Sequence, residues 1–442
     1  MPRDGDEEGH LGAAELFLQL LREGRWAELA RDALAGRLGE YPPLWPALLG
    51  LGWWILGGAP ENLPLRALPL LSMGITSAAL SSFTCSRLDP AGVDGPEGPG
   101  PRAGRLAAAL CLLLPLPVGL ARHYMPEAPL MAAVAAAIAL GERAAQRPTA
   151  GRLLCYGLTL GAALLIKQTA ALTLWLPALG FALRQGPRGA LPLIVAGLCF
   201  APWLLRNLED QLQYAQYSAD AQPAPLWAHA LGVPAQWLWS GLGPPLGLLS
   251  LGALAAAAGR RRLTTWSPAL LWLLGGMLGL WLIPKKYPRL VLPTAPAALP
   301  LLAGALLSGP RWAGPLALTG GAGWLIIASL HQLPEPPLSD VLDPRCPQTW
   351  LGPPDPDDLG LGATVQALAT LPPGPVVVID PPAIPCAVQT THDWVEHLGP
   401  RLRRAGQERE LLVNPAPEAT SSAVFWLRFG PDGRPLLPAP PP

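Results

Sequence analysis

What most limits the folds open to this chain is a succession of apolar runs, most of them near the length of a membrane-crossing helix, that fills residues 64–330. In hydrocarbon every backbone N–H and C=O must be satisfied within the protein, which leaves helices and closed barrels, and a helix needs about 20 apolar residues to cross. Half of the 442 residues are hydrophobic and 14% are charged, against about a quarter charged in soluble domains. The runs predict an all-α polytopic membrane bundle with ten spans, at 64–84, 104–121, 127–141, 152–166, 168–184, 189–205, 236–257, 266–283, 290–307 and 312–330. An eleventh is added if the Trp-rich run of some 16 residues that opens with Tyr41-Pro42-Pro43-Leu44-Trp45 and ends near Leu56 crosses rather than lying beside the membrane.

Charge placement orients the bundle. Alternate short loops carry Arg87, Arg102 and Arg105; Arg143, Arg147 and Arg152; Arg184 and Arg188; Arg260, Arg261 and Arg262; and Arg311. Arginine-bearing loops stay in the cytoplasm. With ten spans both chain ends then lie on the outer side of the cell (inner) membrane, the periplasmic side.

The flanks read differently. Residues 1–63 form an outer first loop whose two amphipathic stretches, Leu11–Arg22 and Trp26–Leu34, predict helices lying in the interface. Residues 64–330 are the bundle and 331–358 a proline- and aspartate-rich linker. A small outer α/β domain is expected over 359–433, with strands near 375–380 and 422–429 and a helix over 391–405, before a disordered proline-rich tail at 434–442. Asp380, His392 and Asp393 read as structural. Cys346 and Cys386 both fall outside, where oxidation is permitted, and are expected to form a disulfide. No Cys-x-x-Cys, His-Glu-x-x-His or glycine-rich phosphate loop occurs, so neither a metal site nor a cofactor is expected. No basic, aromatic-interleaved patch suggests a nucleic-acid partner.

Candidate chemistry gathers at one face. Asp4, Asp6, Glu7 and Glu8 crowd next to His10 ahead of the first apolar run. They read either as a source of a catalytic carboxylate, Asp6 or Glu7, or as a solvated terminal charge run. The outer loop Arg122-His123-Tyr124-Met125-Pro126-Glu127 is dense in polar groups, although Glu127 after a proline also suits the start of a helix. Lys167 interrupts two apolar runs, a costly position unless it is paired or wet. Lys285, Lys286 and Arg289 surround Tyr287 in a loop that the topology puts outside, against the positive-inside trend. They read either as a miscounted span or as an anion site holding a lipid phosphate.

Taken in order, the acidic pair, Tyr41-Pro42-Pro43-Leu44, Arg122-His123-Tyr124-Met125-Pro126-Glu127-Ala128-Pro129-Leu130, Lys167-Gln168-Thr169 and Pro284-Lys285-Lys286-Tyr287-Pro288-Arg289-Leu290 resemble the GT-C glycosyltransferases. The likeness is to the branch of protein O-mannosyltransferases and lipid A aminoarabinose transferases, and it runs from about residue 4 to 307. The resemblance implies a sugar donor linked to polyprenyl phosphate, inversion at the sugar carbon, and an outer-loop aspartate as base. By position Asp6 takes that role with Glu7 beside it. His10, Tyr41, Arg122, His123, Glu127 and Lys167 line the substrate site, and Lys285, Lys286 and Arg289 lie near the donor phosphate. The implied partners are that donor, the bilayer and an acceptor protein, lipid or glycan. Proteins of this kind carry a spanning helix before the acidic loop, whereas here the chain begins almost at the acidic residues. The expectation is a start placed too late or a truncated, inactive copy.

Two other classes compete. A lipid or solute transporter or flippase would place Glu127, Lys167 and the 285–289 cluster along a path, but such folds show repeats and mid-span charges that are not evident here. An inactive glycosyltransferase-like scaffold is the other. The charge pattern sets a test that applies to every reading: a single cysteine at 262 should resist an impermeant thiol reagent in intact cells, while cysteines at 287 and 400 should react. The opposite labelling would overturn the orientation.

Overall fold

The computed structural model describes residues 5–35, 42–56, 63–89, 97–121, 124–220, 226–259, 263–282, 288–330, 361–372, 374–378, 398, 402, 406–407, 409, 411–413 and 425–427. They fall into two compact units, one of residues 13–344 and 348–352, the other of 1–12, 345–347 and 353–442.

In the larger unit, α1 (Gly5–Arg22, from Ala13 on) and α2 (Trp26–Leu34) form a hairpin. The turn uses Gly24 at φ 69°, a conformation that glycine adopts without a Cβ clash. Arg25 at the corner donates to both Glu23 and Glu28, at 2.7 and 2.9 Å. Ala13, Leu20 and Leu29 close the apolar seam between the helices. Phe17 packs on α3 (Leu44–Leu56), where a Cβ on Gly50 would come within 2.8 Å of its ring.

The bundle proper starts with α4 (Leu63–Leu88), which lies along α5 (Pro99–Cys111) and α7 (Glu127–Gln146). Between these two runs the short α6 (Pro115–Leu120). Helix α7 packs on α8 (Ala150–Ile166), and α8 runs along α10 (Ala190–Arg206). Helix α9 (Ala170–Gln185) lies along α14 (Ser267–Leu282). The chain also forms α11 (Leu208–Asp220), α12 (Leu226–Gln236), α13 (Pro244–Gly259), α15 (Leu299–Leu307) and α16 (Ala313–Leu330). A 3-10 segment, Pro288–Ala298, leads into α15. Its Pro293 and Pro296 lack the N–H that an α-helix would need there.

Small residues let these helices approach. A Cβ on Gly157 or Gly161 of α8 would fall within 2.8 Å of Pro192, Val195 or Cys199 of α10, and one on Gly279 of α14 within 2.3 Å of the Leu172 carbonyl of α9. Lipid offers no hydrophobic drive for helix association, so close packing of this kind carries the assembly. In 18-residue stretches of α7 and of Arg289–Leu307, 72% and 78% of the residues are buried, against 22% in such a stretch of Ala170–Arg206. The first two therefore form the centre. The third turns Leu183, Leu198 and Leu205 outward.

The spans differ in detail from the sequence expectation. Among the described residues four stretches are long and apolar enough to cross a membrane, Ala67–Leu88, Glu127–Gln146, Ala170–Arg206 and Arg289–Leu307. The bent pair Leu231–Leu242 and Pro244–Gly259 makes a fifth if it is one span. Leu44–Leu56, Ala150–Ile166, Ser267–Leu282 and Ala313–Ser329 are apolar but shorter. Two expected spans are not continuous helices. That at 104–121 breaks after Cys111, because Pro115 biases Leu114 to extended backbone at ψ 124°. That at 236–257 bends by 118° at Gly243, φ 76°, after a π-helical turn over Trp237–Leu242. Conversely, Ala170–Arg206 merges two expected spans into 37 residues. A straight helix of that length would be about 55 Å long, beyond the roughly 30 Å hydrocarbon core. Gly186, at φ 57° and ψ −137°, interrupts it.

The smaller unit contains α17 (Leu361–Ala369) and a three-stranded parallel sheet in the order β2 (Leu411–Val413), β1 (Val376–Val378), β3 (Phe425–Leu427). Strands β1 and β3 fall within the two expected runs, while β2 has no counterpart in the sequence reading. Leu368, Val376, Val378, Leu398, Leu402 and Leu427 form its core. Arg409 closes the end of α17, donating to the carbonyls of Leu368, Leu371 and Pro372 at 2.7 to 2.8 Å. Cys346, Cys386, Asp380, His392 and Asp393 lie outside the described residues.

The contact between α14 and the 3-10 segment generates a stability test. A Cβ on Gly276 would meet the Thr294 side chain at 1.9 Å, whereas one on Gly74 of α4 meets nothing within 4 Å. Gly276→Ala should lower the thermal unfolding midpoint in detergent, with a cost of about 1–3 kcal/mol from overpacking. Gly74→Ala should be neutral or stabilising by up to about 1 kcal/mol. Equal melting of both variants would contradict the close approach.

Candidate functional site

Three expected site residues from distant parts of the chain meet at one end of α7. Glu127 is the first residue of α7, after Pro126, so its carboxylate starts where the helix dipole favours negative charge. Lys167 ends α8 with extended backbone, φ −158° and ψ 127°, which separates α8 from α9. Arg289 stands at the start of the 3-10 segment that packs against α7.

Lys167 Nζ donates to Glu127 Oε1 at 2.7 Å, and Arg289 Nε lies 3.7 Å from the same oxygen. Glu127 is 1% exposed and Lys167 4%. Desolvation costs several kcal/mol for each buried ion, and the pairing offsets it. Lys167 and Arg289 thus bring an ammonium and a guanidinium to one carboxylate, two groups that make charge-assisted hydrogen bonds to anions.

The surroundings fix its geometry. Met125, Met131, Leu280, Val291 and Leu292 form an apolar cluster with Met73, Leu116 and Leu120, so the residues flanking Glu127 and Arg289 are locked in a packed core. Trp45 Nε1 of α3 donates to the Tyr124 carbonyl at 2.9 Å, and Trp272 Nε1 of α14 to the Pro293 carbonyl at 2.9 Å. Gln168 donates to Gln211 of α11 at 2.8 Å. Asn207, at the end of α10, donates to the Leu34 carbonyl at 2.7 Å and anchors the α1–α2 hairpin there.

Of the other expected site residues, His10 alone has a described side chain. His10 is a buried residue of α1, within the segment 1–12 that belongs to the smaller unit. Asp6 and Glu7 are in α1 by backbone, but their side chains, like Tyr41, Arg122, His123, Lys285 and Lys286, lie outside the described residues. Sequence reading also missed contributors. Asn207 and Gln211 were not among the candidate residues. The signal for Asn207 was its position directly after an apolar helix, where an amide can cap the last carbonyls, and its Nδ2 does donate to the Trp203 carbonyl at 2.8 Å.

At the opposite end of α7 a second carboxylate is similarly held. Glu142, 4% exposed, accepts from Arg87 at 2.8 Å and lies 3.8 Å from Arg184. Arg87 also donates to the Thr265 carbonyl. The sequence reading counted Arg87 and Arg184 only as markers of topology.

Residues 99–205, less than half of the chain, match the model of the dolichyl-phosphate-mannose-protein mannosyltransferase family. Among solved structures the chain is similar to ArnT from Cupriavidus metallidurans in the apo state, at 15% identity and a TM-score of 0.58, covering 98% of this chain and 89% of that one. The same enzyme bound to undecaprenyl phosphate gives 14%, 0.59, 98% and 90%. An oligosaccharyltransferase from Archaeoglobus fulgidus gives 12% identity and a TM-score of 0.50, covering 88% of this chain and 59% of that one. No curated protein matches. The chain therefore shares the fold of ArnT and over residues 99–205 is similar to the mannosyltransferase family, in line with the motif resemblance, and it is a helical, multi-pass membrane protein.

The ion pair yields its own test. Glu127→Gln leaves two cations buried without their carboxylate and should destabilise the protein by about 3–5 kcal/mol, as when one partner of a buried pair is removed. Combining it with Lys167→Gln should cost less than the two single changes added together. Strict additivity in detergent unfolding would mean that the two side chains do not interact.

Proposed function

We propose that this chain is a membrane glycosyltransferase that moves a sugar from a polyprenyl-phosphate-linked donor to an acceptor on the outer face of the cell membrane, with inversion. The observation that supports it best is the Glu127–Lys167–Arg289 group, which brings an ammonium and a guanidinium together at one end of α7, on a fold shared with ArnT. In this reading Lys167 and Arg289 face the donor phosphate, and Glu127 holds both cations in place. Lys285, Lys286, Arg122 and His123 add to the same anion site. Asp6 is the base, with Glu7 beside it, and His10 and Tyr41 contact substrate.

The reaction follows from those roles. Asp6 takes a proton from the acceptor hydroxyl or amine as that atom bonds to the anomeric carbon. The bond from this carbon to the phosphate oxygen breaks on the opposite face, and its electron pair leaves with the polyprenyl phosphate. Positive groups aimed at the leaving oxygen stabilise the charge that develops there. The arginine-bearing loops face the cytoplasm in this arrangement, and the smaller unit lies outside.

Two sets of variants test it. Arg289→Gln and Lys286→Gln should each weaken binding of a polyprenyl phosphate by about 10- to 100-fold, the loss of one charge-assisted hydrogen bond. Unchanged binding in both would remove the phosphate role. Asp6→Asn should lower turnover at least about 100-fold with donor binding near wild type. Full turnover in Asp6→Asn with loss in Asp4→Asn moves the base two residues, and full turnover in both excludes the acidic stretch from catalysis.

A further inference from the structure

The other end of α7 carries a separate feature. Arg143 lies 16 residues beyond Glu127 on the same helix, about 24 Å along its axis at 1.5 Å per residue. There the ends of α4 and α7 and the start of α8 enclose a cleft of about 480 Å³. Arg143, Arg147 and Arg152 line it, over a less polar floor that includes Leu140, Cys85 and Cys155. Asp89 contributes one carboxylate to the rim.

The arrangement is built rather than incidental. Arg143 stands in the last turn of α7 and Arg147 caps that helix in extended conformation, at φ −142° and ψ 90°, so two like charges end the same helix. Arg152 is held in position, donating from Nη1 to the Arg143 carbonyl at 3.1 Å. Gln146, in the wall, ties α7 to α4 through the Ser86 carbonyl at 2.9 Å. Gly151 lines the cleft, and a Cβ there would meet nothing within 4 Å. Gly151, Cys155 and Leu158 share one helical stripe of α8 by their spacing. Leu158 is 49% exposed and Leu154 beside it 45%. A basic cleft thus continues into an apolar surface that runs down the bundle.

We propose that this cleft seats the phosphate of an anionic phospholipid, with an acyl chain along the Leu154–Leu158 face of α8. The ligand chemistry is a phosphodiester carrying one negative charge, which guanidinium groups hold with paired hydrogen bonds. A lipid rather than a soluble phosphate fits because the basic groups lie at the boundary of a lipid-facing surface, as in basic pockets between spanning helices. The site is distinct from the donor site at the other end of α7 and stands whether or not that reading holds.

Native mass spectrometry of the full-length protein in neutral detergent tests the proposal, with phosphatidylglycerol and phosphatidylcholine as probes. The wild type should retain one phosphatidylglycerol at least about 10-fold more tightly than phosphatidylcholine, and the double variant Arg143→Gln, Arg147→Gln should lose that preference. Bound phosphatidylglycerol should also slow maleimide modification of Cys155, mapped by peptide mass. Arg188→Gln, an exposed arginine outside the cleft, should bind as the wild type does. Retention by the double variant, or an equal loss in Arg188→Gln, would show only diffuse attraction and overturn the site. Displacement of the lipid by millimolar inorganic phosphate would assign the cleft to a soluble anion and overturn the lipid assignment.

Discussion

A single buried carboxylate, Glu127, holds together one end of the bundle. It accepts from Lys167 at 2.7 Å and lies 3.7 Å from Arg289, so it connects the start of α7, the end of α8 and the 3-10 segment before α15. Each of these charges would be costly alone at that depth. Together they are tolerated, and the same contacts that let the charges be buried bring an ammonium and a guanidinium to one place.

Helix α7 carries a second carboxylate, Glu142, paired with Arg87 and approached by Arg184. The helix is pinned at both ends, to α8 and the 3-10 segment at one, to α4 and α9 at the other. Its middle is alanine-rich and almost wholly buried, so it offers neighbours a smooth surface and leaves the position along its axis to be fixed by the ionic ends. Between those ends the bundle depends on small residues. Glycines on α8 and α14 meet α10, α9 and Thr294 at distances that leave no room for a Cβ. Close backbone approach is the available source of association where lipid supplies no hydrophobic drive. Because Gly276 faces Thr294, the packing of α14 also sets where the 3-10 segment, and hence Arg289, can lie.

Much of the bundle was legible in the chain itself. Apolar run length and the spacing of arginines show a helical membrane protein, since hydropathy and backbone satisfaction depend on local sequence. The polar residues Glu127, Lys167 and Arg289 stood out because charge beside apolar runs is costly. Less legible were the breaks. Gly243 permits a 118° bend and Pro115 a helix stop, but glycine and proline punctuate nearly every run, and many of them, such as Pro177 and Pro202 inside α9 and α10, do not break their helix.

The sequence alone determined the class of structure, the polar residues that needed a partner, and a resemblance in motif order to GT-C glycosyltransferases. Only the tertiary structure decided who the partners are. Glu127 and Lys167 are 40 residues apart and Arg289 is a further 122 along, so no local pattern relates them. Their meeting depends on how α7, α8 and α14 pack, which is set by side-chain volume and glycine contacts between helices. The cleft at Arg143 and Arg147 has the same origin: its three arginines are visible as topology markers in one dimension, but they line a cavity only because α4 and α8 close around the end of α7.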